Sequence, residues 1–226
     1  MSKAPRGQTV AVVLAGGRGT RMGADRNKVL LELDGRPVIA WSVAAFAEHP
    51  AIDGVLLVGH RDDLDVLQAI ADEYGAALVA GGASRPDSER AALAQLRPAI
   101  ESGAIDTVLI HDGARPLVSP DLISRVADAA RRGGVLPVLP APPLLERSTM
   151  QPPAAARLGR AQTPQGGPAT DLMAAYDNAG EYAGTDTVSY LERAGVPVRA
   201  VDGEESNIKV TYPPDLRRAH ALLAQR

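Results

Sequence analysis

Short apolar runs alternate with longer amphipathic stretches along most of this 226-residue chain. Each run is nearly continuous in hydrophobicity, as expected of a strand that is buried on both faces and has no solvent-facing side. The stretches between the runs have apolar residues three and four positions apart, which is typical of helices. The runs cover residues 9–15, 54–59, 76–80, 106–112 and 134–139, and the helical stretches cover 37–49, 64–74, 87–100 and 119–132.

This alternation predicts an α/β fold with a mainly parallel sheet and helices on both faces. A chain of this length is expected to form one core, so we predict a single domain over residues 1–226. Farther along the chain we expect helices at 170–179, 185–195 and 213–226, and extended segments at 196–203 and 207–211.

The alternation stops at residues 140–168, which contain seven prolines. Because proline has no N–H to donate and restricts its backbone, this density excludes an ordinary interior helix or central strand. We expect an inserted arm outside the core. Its composition favours a surface loop, and the alternative is an arm that reaches a partner subunit or closes a site.

Composition excludes several classes of protein. No apolar run approaches the roughly 18 residues of a membrane helix, and residues 1–9 lack the apolar stretch of a secretion signal, so we expect a cytoplasmic protein without a membrane partner. The absence of cysteine excludes disulfides, thiolate-bound zinc and a thiol nucleophile. A net charge of -3 argues against a surface built for nucleic acid, so any anion site is local.

The glycine-rich segment LAGGRGTRMG, residues 14–23, directly follows the first predicted strand. Ligands of open α/β sheets bind at the carboxyl ends of the strands. Glycines there leave backbone N–H groups open to a phosphate, and nearby cations supply charge. The segment predicts an anion site; the alternative is a tight turn with solvated arginines. The candidate residues are Gly16, Gly17, Gly19, Arg18, Arg21 and Lys28.

Two common phosphate-binding loops do not fit this segment. A Walker A loop ends in Gly-Lys-Ser/Thr, which is absent. A dinucleotide fingerprint requires glycine where Met22 stands and an acidic residue where His60 stands.

The segment HDGARP, residues 111–116, follows the fourth predicted strand. Asp112 emerges at the end of that strand, where a carboxylate is suited to a divalent cation or a substrate hydroxyl. Arg115 suits a phosphate or carboxylate partner, and a structural role in a turn is equally well supported.

Two further segments carry candidate ligand-binding residues. In GGASRPDSERAAL, residues 81–93, Ser88 and the N–H groups of Gly81 and Gly82 are placed to bind a base or ribose, unless Ser88 only caps a helix. In SNIKVT, residues 206–211, Lys209 lies midway along an apolar strand. An ammonium there is costly without an anion, which predicts a phosphate ligand; the alternative is an edge-strand lysine that blocks aggregation.

Six segments, taken in order, resemble the cytidylyltransferases of isoprenoid precursor synthesis, specifically the 2-C-methyl-D-erythritol 4-phosphate cytidylyltransferase family. They are LAGGRGTRM with Lys28, GGASRPDS, HDGARP, QTPQ, TDTVSYLE and NIKVT. The resemblance implies a Rossmann-like α/β domain, a proline-rich arm that exchanges between the subunits of a homodimer, and a reaction that uses CTP and Mg²⁺.

The resemblance also implies a reaction and a set of site residues. A phosphate oxygen of the polyol phosphate acceptor attacks the α-phosphorus of CTP, and pyrophosphate leaves, so catalysis consists of positioning and charge neutralisation. The implied catalytic residues are Arg21, Lys28 and Lys209. The implied nucleotide-binding residues are Ala15, Gly16, Gly17, Gly19, Gly82, Ser88, Asp112 and Arg115. The implied acceptor-binding residues are Asp112, Arg157, Arg160, Thr163 and Lys209, and Asp112 is also the implied magnesium ligand.

The chain departs from the family pattern at two places. Asn27 precedes the loop lysine, where the family commonly has proline. The family's Asp-Thr-x-Lys-like segment is missing from the arm, and Ala155 occupies the position of its arm arginine. We therefore expect Arg157 or Arg160 to supply the arm's cation to the acceptor.

Three other functions fit parts of the pattern. A cytidylyltransferase for another polyol or sugar phosphate, such as ribitol 5-phosphate, shares the CTP-side segments. A molybdenum-cofactor nucleotidyltransferase has a similar glycine loop, but the HDGARP and NIKVT segments weigh against it. The altered arm also permits a catalytically silent homologue that binds CTP and serves as an interaction module.

Overall fold

A computed structural model describes residues 7–16, 27–141, 147–151 and 158–225. Within these ranges the chain forms an eight-stranded sheet, a small hairpin and seven α-helices. The strands are β1 Gln8–Ala15, β2 Glu32–Leu33, β3 Arg36–Pro37, β4 Gly54–Gly59, β5 Ala77–Ala80, β6 Ile105–Asp112, β7 Gly134–Pro140, β8 Gly159–Ala161, β9 Gln165–Pro168 and β10 Val198–Asp202. The helices are α1 Val38–Ala47, α2 Leu64–Glu73, α3 Arg85–Glu101, α4 Pro120–Ala130, α5 Ala169–Asp177, α6 Thr187–Arg193 and α7 Pro213–Leu223.

The main sheet has the strand order β10-β7-β9-β6-β1-β4-β5, with β8 paired to β7. β1 pairs in parallel with β4 and β6, and β4 with β5. β9 runs antiparallel to both of its neighbours, so β7 and β10 run in the same direction as β6. The prediction of a mainly parallel α/β sheet is therefore confirmed.

The side chains of β1 alternate between two hydrophobic cores, one on each face of the sheet. Ala11 and Val13 pack in the core that includes residues of α1, α2 and α4. Val10 and Val12 pack in the core that includes residues of α3, α5 and α6. All four side chains are buried, which explains why this strand is continuously apolar in the sequence.

Part of the proline-rich segment 140–168 lies inside the sheet, so the exclusion of a central strand from that segment was wrong. β9 lies between β6 and β7. Its only proline is Pro168, at its last position, and its interior residues Gly166 and Gly167 allow close approach of the neighbouring strands. The arrangement of the chain as a single domain with an inserted dimerisation arm stays a prediction, and residues 142–146 and 152–157 of the proposed arm lie outside the described residues.

Gly166→Ala is expected to destabilise the fold by about 3 kcal/mol, because overpacking a rigid core forces backbone shifts. A Cβ at this position would collide with the carbonyl oxygen of Val108 and would lie 3.0 Å from the Cα of Leu109. Gly54→Ala is the matched control, since the nearest atom to its Cβ is a Val10 methyl at 3.8 Å. Urea unfolding of both variants checks this, and equal stabilities would contradict it.

The end of the chain differs from its predicted pattern in one respect. Residues 207–211 form no strand, contrary to the extended strand predicted there, whereas α7 confirms the closing helix. No helix within the described ranges is long and apolar enough to cross a membrane.

Candidate active site at the carboxyl edge of the sheet

Four parallel strands end at the same edge of the sheet. β1, β4, β5 and β6 are adjacent, and the connection from β5 to β6 returns across the sheet to the far side of β1. The strand order therefore reverses between β1 and β6, where open α/β sheets form their ligand crevice. The segments that begin with Gly16 and Gly113 leave the sheet at this point.

Asp112, the last residue of β6, is 7% exposed and is surrounded by three cations. The Nζ of Lys209 donates to its Oδ2 at 2.8 Å, and the guanidinium of Arg85 donates to its Oδ1. The Nε of Arg115 lies 3.6 Å from Oδ2. Burial raises the pKa of Asp112, but attraction to Arg85, Lys209 and Arg115 outweighs it and holds that pKa far below the usual carboxyl range.

The structure thus brings together Asp112, Arg115 and Lys209, which the sequence analysis singled out from separate segments. Arg85 was missed. It is the first residue of α3 and belongs to the GGASRPDS segment. Its position just after the glycine pair at the end of a strand was the signal that could have identified it.

Lys209 reaches this cluster through a loop instead of the predicted strand. The buried Asn207 anchors the loop, because its Nδ2 donates to the carbonyl of Thr163 at 2.9 Å. The carbonyl of Asn207 accepts a hydrogen bond from Arg115 at 2.8 Å. The backbone N–H of Val210 also donates to the carbonyl of Ala114, so hydrogen bonds to the HDGARP segment place Lys209.

His111 and Thr163 form a buried chain of hydrogen bonds beside Asp112. The backbone N–H of Asp112 donates to Thr163 Oγ1 at 3.0 Å, and Oγ1 lies 3.1 Å from His111 Nδ1. The hydroxyl therefore donates to Nδ1, and the Nε2–H of His111 donates to the carbonyl of Arg115 at 3.1 Å. Since Thr163 uses its hydroxyl within the fold, the geometry disfavours its predicted contact with the acceptor.

Stability is expected to fall as the pH falls below about 6.5, because burial lowers the pKa of His111 to about 4. Its ordinary value is 6.5, so between these values the unfolded chain binds one proton more than the folded chain. The stabilisation that comes from the neutral, buried His111 is complete above about pH 6.5 and is lost as the pH falls toward about 4. In full it amounts to about 3 kcal/mol.

Urea unfolding at a series of pH values measures this effect. His111→Gln should flatten the dependence between about pH 6.5 and pH 4.5, whereas the exposed His220→Gln serves as the control. A slope that is unchanged in His111→Gln would assign the acid sensitivity to other groups.

Ser88 joins the two glycine segments of the strand edge. Its buried hydroxyl donates to the carbonyl of Ser84 at 3.0 Å and accepts from the N–H of Gly82 at 3.2 Å. The N–H of Gly81 donates to the carbonyl of Gly59. A Cβ at Gly16 would lie 3.1 Å from Ser88 Oγ, so the first glycine segment begins directly against this serine. The N–H groups of Gly81 and Gly82, which the sequence analysis predicted to bind a base or ribose, are thus already hydrogen-bonded within the fold.

Asn27 fixes the start of the turn that carries Lys28. Its Nδ2 donates to the carbonyl of Ala15 at 2.8 Å and to Asp63 Oδ2 at 2.9 Å. Its Oδ1 accepts from the N–H of Val29 at 3.3 Å. Three hydrogen bonds of the Asn27 side chain therefore fix the backbone at the position where the family's proline would fix it by its ring. The turn that begins at Lys28 is thereby held beside the end of β1. Gly17, Gly19 and Arg21 of the glycine loop lie outside the described residues, as does Arg157 of the arm.

The described residues do not fit a magnesium site made by the protein alone. The two carboxylate oxygens of Asp112 are engaged by Arg85 and Lys209, and three cations around it repel a divalent ion. Among the residues that the structure describes, no group of three histidine, aspartate or glutamate side chains is placed to hold a metal. The geometry therefore disfavours Asp112 as the predicted metal ligand.

Arg160 of β8 lies on the surface and donates to Glu205 at 2.8 Å. Its side chain is 53% exposed, so its ion pair contributes little to stability. Its predicted role with the acceptor stays a prediction.

Comparison with known proteins gives one consistent result. The family model described as 2-C-methyl-D-erythritol 4-phosphate cytidylyltransferase matches residues 9–225. Proteins of that name from Synechococcus sp. (strain WH7803) and Cereibacter sphaeroides are 39% and 42% identical to the chain, over 95% and 96% of it and 99% and 97% of their own lengths. A solved 4-diphosphocytidyl-2C-methyl-D-erythritol synthase from Anaerococcus prevotii superimposes with a TM-score of 0.80 at 28% identity, covering 97% of this chain and 99% of that one.

Proposed function

This chain belongs to the 2-C-methyl-D-erythritol 4-phosphate cytidylyltransferase family, and we propose how its strand edge carries out the family's reaction. The enzyme transfers CMP from CTP to 2-C-methyl-D-erythritol 4-phosphate in isoprenoid precursor synthesis. An acceptor phosphate oxygen forms a bond to the α-phosphorus of CTP, the bond from that phosphorus to the β-phosphate oxygen breaks, and pyrophosphate leaves.

One observation carries this assignment: the cluster is rich in cations and has no available base among its described titratable groups. His111 is fully buried with both ring nitrogens engaged, and Asp112 is tied to Lys209 and Arg85. A hydroxyl nucleophile would need a base to remove its proton. A phosphate nucleophile is already ionised, so positioning and charge neutralisation suffice.

We assign to Lys209 the role of the cation that moves to contact a substrate phosphate. Its side chain is 41% exposed, so the ammonium is free to turn from Asp112 toward a phosphate. Arg85 and Arg115 are held by the fold and keep Asp112 in place when Lys209 moves. Gly16, with Gly17, Gly19, Arg21 and Lys28, is proposed to receive the triphosphate, and Gly82 and Ser88 are proposed to shape the nucleoside side.

Three further assignments are proposals of the same kind. Mg²⁺ is the proposed cofactor because a triphosphate is a ligand that it prefers, with the protein adding few ligands of its own. A homodimer is proposed to form through the part of the 140–168 arm that precedes β9, in which Arg157 or Arg160 supplies a cation to the acceptor. The cytoplasmic location stays a prediction.

Pyrophosphate release from CTP, Mg²⁺ and 2-C-methyl-D-erythritol 4-phosphate tests the function, with mass spectrometry of the cytidine diphosphate-linked product. We expect turnover with this acceptor and with CTP in preference to ATP, GTP and UTP. Faster turnover with ribitol 5-phosphate would reassign the acceptor. CTP binding without turnover of any acceptor would instead indicate a silent homologue.

A further inference from the structure

Glu89 is a buried carboxylate that has no part in the proposed chemistry. It lies one turn after Arg85 on α3 and is 1% exposed. Three donors from three helices surround it. Arg85 Nε donates at 2.9 Å, Thr187 Oγ1 donates at 3.0 Å, and the hydroxyl of Tyr176 donates to the other carboxylate oxygen.

Packing alone does not require a carboxylate at this position. The neighbouring core contains Ala92, Leu172 and Tyr190, so the apolar part of the surroundings gives no reason for a carboxylate. Replacing a whole buried ion pair by apolar residues of similar volume is often neutral or stabilising, whereas removing one partner leaves the other charge uncompensated. Burial raises the pKa of Glu89, with attraction to Arg85 opposing the shift, so the charged form is held at a cost.

Arg85 connects this carboxylate to the site. Its Nε donates to Glu89, and its Nη1 donates to Asp112, so one planar guanidinium spans two carboxylates from α3 and β6. A planar fork that is held at two of its nitrogens has a fixed orientation. Glu89 is itself held firmly, because the Tyr176 ring that donates to it stacks on Tyr190 with centroids 4.0 Å apart.

We propose that Glu89 is a positioning residue that fixes the guanidinium of Arg85 and thereby holds the Asp112 carboxylate where it pairs with Lys209. The effect on turnover rests on the proposed function, whereas the effect on the ion pair does not. Without the charge of Glu89, the guanidinium is drawn wholly to Asp112, and the pairing of Asp112 with Lys209 loosens.

Glu89→Gln tests this with little change of shape. We expect kcat to fall about tenfold to a hundredfold, the usual loss when a residue that orients a directly acting side chain is removed. The KM for CTP should change less than about threefold. In a double-mutant cycle, Glu89→Gln should have no further effect on kcat once Arg85 has been replaced by methionine. Thr187→Val is the matched control, since it removes one hydrogen bond of Glu89 and leaves its charge.

A second measurement does not depend on turnover. Reductive methylation of Lys209, followed by mass spectrometry with Lys3 of the same sample as reference, reports how tightly the ammonium is paired. We expect methylation about threefold faster in Glu89→Gln and unchanged in Thr187→Val. Equal methylation rates in wild type and Glu89→Gln would overturn the proposal, as would additive effects in the cycle or an equal kcat loss in Thr187→Val. Wild-type protein that turns over no acceptor would contradict the proposed function alone, and the methylation result would still decide the role of Glu89.

Discussion

Asp112→Asn is expected to abolish pyrophosphate release and to lower the stability of the folded chain by about 3 kcal/mol. The substitution removes the negative charge between Arg85, Arg115 and Lys209, so the partly buried Arg115 loses its carboxylate partner and Arg85 keeps only Glu89. Breaking a buried ion pair costs more than the pair contributes, since the remaining charge stays in the interior unpaired. For a chain of this size that loss lowers the melting temperature by roughly 10 °C.

Asp106→Asn is the matched control for this prediction, because Asp106 lies on the same strand and is exposed. It contacts Arg131 at 3.7 Å across the surface, so its loss should change the melting temperature little. Thermal unfolding and pyrophosphate release, measured on both variants, separate the two effects. An active Asp112→Asn enzyme of normal stability would show that the cation cluster is not organised by this carboxylate.

Lys209→Met is expected to lower kcat/KM by about a hundredfold to a thousandfold, the usual loss when one charge-stabilising group is removed from a transition state. Its stability should be close to wild type, because the Lys209 side chain is 41% exposed and Asp112 keeps its two arginines. The two substitutions therefore remove opposite ends of one ion pair and differ in their effect on stability.

Lys209→Arg provides the control, since it keeps the charge and changes the shape of the donor. Partial activity in this variant, with its melting temperature unchanged, would support a phosphate contact at Lys209. A Lys209→Met enzyme with nearly normal kcat/KM would place the reacting phosphates elsewhere along the strand edge.

The fold was predictable because its strands are buried on both faces. Residues in β1 and β6 have to be apolar on both sides, so the runs at 9–15 and 106–112 showed the strands directly. The carboxyl ends of parallel strands meet at one edge, which is why Asp112 could be placed at the site from its position alone. Lys209 was identified for a reason that the structure does not support, since it lies in a loop and not in a strand.

Residues that depend on distant partners were not predictable. β9 inserts between β6 and β7 because its glycines permit close backbone approach, and local pattern does not show which strands it will meet. Arg85 resembled an ordinary helix N-terminal residue, and its role comes from Asp112, which lies 27 positions away. The same holds for Ser88, whose hydroxyl looked available and is engaged in the fold.

By itself, the sequence predicted the alternation of most strands and helices along the chain, the edge of the sheet at which the candidate site lies and the family to which the chain belongs. These depend on local patterns of burial, glycine and charge that each segment carries alone. Only the tertiary structure decided which cations surround Asp112, which hydroxyls are engaged in the fold and which donors surround Glu89. Those properties arise because side chains that are far apart in the sequence lie close together in the fold. There, the position of each charged group depends on the groups to which it is hydrogen-bonded.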